Sequence, residues 1–148
     1  MDLKAIPNLH FLGFRVYAAE GDIHLPWIVR GLEEGFVPKT LEKLTIIVRV
    51  DPYDGYTIPP GLADISWSFG ESGLDSALVS ESGEQNYPNL HTVEIVVEVP
   101  MPGDHDVDTF FDFLGRRLPR LTSKALLDAQ LCRKDEVQAT MCTLLPKH

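Results

Sequence analysis

Several features that would assign a chemistry are missing from this sequence. Cysteine is nearly absent: Cys132 and Cys142 are the only two in 148 residues, and they form no Cys-x-x-Cys pair of the kind used for zinc or redox work. A disulfide-stapled secreted scaffold is therefore not expected, and a reduced, cytoplasmic protein is the simplest reading, with a Cys132 to Cys142 bridge as the alternative. No apolar run approaches the length of a membrane span, and Met1-Asp2-Leu3-Lys4 leads into a mixed segment with no apolar h-region, so no membrane association is expected. Excess positive charge is also lacking. At a formal net charge of −9 the chain has no electrostatic basis for nucleic-acid binding. No Gly-x-Ser-x-Gly elbow, Walker loop or dinucleotide fingerprint occurs, and no cofactor is expected.

What is present is the pattern of a folded domain. With 44% hydrophobic and 24% charged residues, the chain has ordinary globular composition and the length of a single domain spanning residues 1–148. Its clearest stretch is Asn89 to Val99, where Val93, Ile95, Val97 and Val99 alternate with Thr92, Glu94 and Glu98, predicting a strand with one buried face. Leu9 to Val16 and Leu41 to Val50 read as two further strands, with Leu12, Phe14 and Val16, then Leu44, Ile46, Val48 and Val50, facing inward. Ala125 to Leu131 is a fourth. Between them, Leu25 to Phe36 carries a helical face at Ile28, Val29, Leu32 and Phe36, and Val107, Phe110, Phe111, Leu114 and Leu118 form a second helical stripe that Pro119 ends. From Tyr56 to Pro88 the pattern weakens into a long connection in which only Leu74 to Ser80 looks helical, with Trp67 and Phe69 expected to pin it to the domain edge. The tail from Arg133 to His148 is mixed, compatible with a short helix, an extra strand or a loosely held end.

The strands share a frame: Leu9-x-x-Leu12-x-Phe14-x-Val16, Leu41-x-x-Leu44-x-Ile46-x-Val48 and Leu90-x-x-Val93-x-Ile95-x-Val97. Unequal spacing makes this a degenerate array. The physical implication is an α/β domain of about four parallel strands with helices on one side, each strand and helix burying its apolar face by stacking on its neighbours. Leu44 to Gly55, Tyr87 to Val99, and Phe110 to Leu127 with Leu118-Pro119-Arg120-Leu121 carry a resemblance to the C-terminal portion of leucine-rich-repeat-like, F-box-associated proteins of mushroom-forming fungi. The resemblance implies a short leucine-rich-repeat-like architecture and identifies no active site. The F-box helices and earlier repeats of the full-length pattern are not in this sequence, so no ubiquitin-ligase role is implied.

Two places could carry function. Parallel strands gather the loops after their C-terminal ends at one edge, where open α/β sheets commonly bind ligands. That edge would collect Tyr17, Glu20, Asp22 and His24, then Asp51 and Asp54, then Asp104, His105, Asp106 and Asp108. Asp51, Asp54, His105 and Asp106 are the candidate acid–base or metal-ligating groups of a small enzyme or ligand-binding protein, although Asp and His are also ordinary turn and cap residues and no metal site is assigned. The second place is the sheet face left without helices. It should present Arg15, Tyr17, Thr45, Ile47, Arg49, Glu94, Val96, Glu98, Asp128 and Gln130, with an apolar centre at Ile47 and Val96 and a charged rim. The favoured expectation is a protein-binding or scaffold module that uses this face for a protein partner or for self-association as a homodimer. The alternative for the face is a solvated surface with weak cross-strand ion pairs.

Overall fold

The computed structural model describes residues 3, 6, 8–19, 22–23, 25–50, 62–99 and 107–133. Runs of β-branched and aromatic residues with period-two alternation form β1 (Phe11–Ala19), β3 (Lys43–Val50), β4 (Thr92–Val99) and β5 (Leu127–Arg133), and a two-residue β2 (Asp22–Ile23) folds back on the end of β1. The sheet order is β2-β1-β3-β4-β5. β2 is antiparallel to β1, and β1, β3, β4 and β5 are parallel neighbours. Parallel neighbours require crossovers, and here these carry α1 (Pro26–Glu33), then α2 (Leu62–Glu71) and α3 (Leu74–Leu78), then α4 (Val107–Arg117) and α5 (Pro119–Ser123).

Each new strand is added on the same side of its predecessor, so right-handed crossovers place the helices on one face. The packing agrees. Leu44, Ile46 and Val48 of β3, Val93, Ile95 and Val97 of β4, and Leu127 and Ala129 of β5 share one core with helix residues. Ile28 and Leu32 of α1, Ile65 and Phe69 of α2, Leu74 and Leu78 of α3, Phe110 and Leu114 of α4, and Leu121 of α5 complete it. The repeated frame is met in the register: Leu12 lies beside Leu44, Leu44 beside Val93 and Val93 beside Leu127. Burying one such Leu, Ile or Val side chain contributes roughly 1.5–3 kcal/mol, and stacked rows of them make this face the seat of stability.

The structure departs from the sequence expectations mainly between β3 and β4. The stretch read as irregular contains α2, so Trp67 and Phe69 sit on a helix, with Phe69 fully buried and Trp67 exposed beneath the Arg117 guanidinium at 4.2 Å. Glycine obscured this helix in the sequence, yet Gly70 lets α2 approach α4 closely: a Cβ there would stand 3.0 Å from Cβ of Arg117. α4 stops at Arg117, just before Pro119 as expected, but Pro119 also opens a further helix. It occupies the first turn of α5, where a missing N–H costs nothing.

Candidate functional site

The strand register sets residues in rows across the sheet. Gly13, Thr45, Glu94 and Asp128 form one row, Arg15, Ile47, Val96 and Gln130 the next, and Tyr17, Arg49, Glu98 and Cys132 a third. The sequence-predicted surface is thus brought together on adjoining strands, and Ile47 and Val96 are direct neighbours at its centre. Neither joins the core shared with the helices.

The expected pattern of apolar centre and charged rim is corrected in one respect. Glu94 and Glu98 are each 3% exposed, as deeply buried as Ile47 at 3% and nearly as deep as Val96 at 1%. Both lie on β4, a central strand between β3 and β5. Gln130 Nε2 donates to Glu94 Oε2 at 3.1 Å, and Lys43 Nζ lies 4.0 Å from the other carboxylate oxygen. Arg49 Nε stands 3.9 Å from Glu98 Oε1, close enough for Coulomb attraction but too far for a hydrogen bond. Among the described residues, the second oxygen of Glu98 is buried with no hydrogen-bond partner. Among the residues of this face whose burial is described, Gly13, Arg15 and Asp128 are exposed.

Such an arrangement is costly for an isolated domain. Desolvating an ion costs several kcal/mol, and attraction offsets this only with good geometry and full hydrogen bonding. Glu98 has neither in full. The face therefore holds buried negative charge beside a small apolar centre.

The other candidate set is not assembled within the described region. Asp51, Asp54, His105 and Asp106, with Glu20, His24 and Asp104, lie outside the described residues; Tyr17 and Asp22 belong to β1 and β2, and Asp108 to the first turn of α4. Among the described residues, no three His, Cys, Asp or Glu side chains are grouped so as to hold a metal ion. Cys132 falls on β5, and Cys142 is outside the described residues. His10 and His91, at matching places before β1 and β4, make local contacts, His10 with Glu42 at 2.7 Å and His91 with the Thr92 hydroxyl at 2.9 Å.

Sequence reasoning passed over two polar anchors. Tyr87 is fully buried, donates to the Leu32 carbonyl at 2.8 Å and carries Lys39 Nζ over its ring at 4.3 Å. Burial pushes its phenol up to about 12. Asp75 accepts from the backbone N–H groups of Arg120 and Leu121 at 3.0 and 2.8 Å, so a carboxylate on α3 caps α5. The Tyr87-Pro88 turn was a usable signal for the first; nothing local marked the second, because α5 itself was not foreseen. No helix of the described residues is long and apolar enough to cross a membrane. Comparison with family models, curated proteins and solved structures finds no match for this chain.

Proposed function

We propose that this domain is a protein-binding or scaffold module whose recognition surface is the helix-free face of the sheet. The observation that carries the reading is the buried Glu94, Val96 and Glu98 line on β4, with Ile47 and Arg49 beside it. A domain selected for stability alone gains nothing from a buried carboxylate lacking a full set of hydrogen bonds, whereas a recognition surface gains specificity from fixed charge. A partner meets the exposed Gly13 and Arg15 on β1 and Asp128 on β5, which stand on either side of the β3 and β4 centre. The resemblance to the terminal part of leucine-rich-repeat-like proteins supports the same use, since such arrays commonly bind partners on an extended sheet surface.

The test is partner retention by surface variants that leave the core alone. Asp128→Arg combined with Thr45→Arg crowds the face with charge, and Asp112→Arg on exposed α4 is the control. The reading requires that a partner held by the wild type and by the control is lost by the sheet-face variant. Equal retention by all three places recognition elsewhere.

A further inference from the structure

We propose that the outer edge of β1 is a docking site for a second copy of this chain, which adds its own β1 in antiparallel register to join two sheets into one. This surface adjoins the recognition face proposed above and shares Gly13 and Arg15 with it, but it uses their backbone groups at the edge of the sheet. It stands whether or not that face binds a partner.

The first observation is an incompletely covered edge. β1 runs Phe11–Ala19, but β2 pairs with it only at Ala18 and Ala19. Among the described residues, no strand lies along the outer side of the segment from Leu12 to Tyr17. The His10 carbonyl accepts from the N–H groups of Glu42 and Lys43 on the β3 side. Backbone direction alternates along a strand, so Leu12, Phe14 and Val16 also turn their N–H and C=O groups toward β3, and Gly13 and Arg15 turn theirs outward. Outward donors and acceptors at the edge of a sheet are a template for another strand.

The side chains that usually protect an edge are missing from this segment. Phe11-Leu12-Gly13-Phe14-Arg15-Val16-Tyr17 holds no Lys, Pro, Asp or Glu, and Arg15 is its only charge. An exposed aromatic flanks the edge on the helix side: Trp27 of α1 is 47% exposed and stands edge-on to Phe14, ring centroids 4.8 Å apart.

The sequence of the edge selects the occupant. A two-fold axis at Phe14 pairs Phe14 with Phe14 of the second copy, Leu12 with its Val16, and Gly13 with its Arg15. This register makes Gly13 and Arg15 the hydrogen-bonded pairs, matching the residues whose backbone groups point outward. It also seats each Arg15 side chain opposite a glycine, where no side chain competes for the space. Centring the axis on Arg15 would oppose two like charges and run into the residues β2 already covers. Two chains of net charge −9 repel each other overall, yet they can meet along this edge because it bears no acidic side chain. Such a C2 contact is self-complementary and closes on itself, bringing both Phe14 and both Trp27 rings toward the axis.

The experiment measures mass by light scattering over roughly 1 to 300 µM, a range that resolves micromolar dimers. The full-length wild type is compared with Arg15→Pro, which deletes an outward N–H while leaving the β1 to β3 ladder untouched. The expected result is a wild-type dimer whose dissociation constant rises at least about tenfold in Arg15→Pro. A wild type that stays monomeric throughout, or a dimer unchanged by a folded Arg15→Pro, overturns the proposal. Should Arg15→Pro not fold, Phe14→Cys on a Cys132→Ser, Cys142→Ser background decides: mild oxidation must give a cross-linked dimer, and failure to do so refutes the register.

Discussion

The two faces of the sheet bury their central side chains almost equally and do so with opposite chemistry. Toward the helices, Leu44, Ile46, Ile95 and Val97 lie in one continuous core with apolar residues of the helical layer. Away from them, Ile47 and Val96 lie beside Glu94 and Glu98, with charges from Lys43 and Arg49 at 3.9 to 4.0 Å. Equal burial therefore does not mean equal stabilisation. The first face gains free energy from every methyl group it hides; the second offsets much of its gain by desolvating carboxylates.

Substitution within the helix-covered face should have the largest effect. Ile95→Ala removes atoms from the middle of the core and should cost about 2–5 kcal/mol, read as a lower urea midpoint with unchanged slope. A loss below that range would mean the core readily collapses around the gap, and the contrast between the faces would narrow. Asp75→Ala should cost about 1–2 kcal/mol by freeing the N–H groups that begin α5, while Asp75→Asn should recover part of the loss.

Tyr87 links α1 to the turn before β4, and its effect depends on pH. Because the folded phenol is raised to about 12 from an ordinary value of 10.0, the unfolded chain loses this proton first, and stability falls as pH rises from the lower value to the higher. Tyr87→Phe should cost about 1 kcal/mol at neutral pH and remove that part of the alkaline slope, which paired chemical denaturations would measure. The smallest effect is expected at Ala125, held at φ 56 between α5 and β5. Ala125→Gly should relieve left-handed strain and raise stability by up to about 1 kcal/mol in thermal unfolding.

Legibility in the sequence followed the same division. Period-two alternation disclosed all four parallel strands and assigned Ile47, Val96, Glu94 and Glu98 to one face, since strand geometry is local. Burial on that face was not local: alternation says which face Glu94 and Glu98 occupy and not how deeply they lie. α2 escaped because Gly70, needed for close contact with Arg117, looks like a helix breaker in isolation. α5 escaped for a similar reason, as Pro119 signals an ending or a beginning with equal force, and its cap is supplied by Asp75 from a distant part of the chain.

The central claim is that the helix-free face is kept for recognition and not for stability. It is tested most directly by the urea unfolding free energy of the double variant Arg49→Met, Glu98→Met, which replaces the ion pair of a partly buried Arg49 and a buried Glu98 with apolar groups of similar size. The account predicts a stability equal to the wild type or higher by about 1–4 kcal/mol. A loss of about 2 kcal/mol or more would contradict it, making the Arg49 and Glu98 pair part of what holds the fold together.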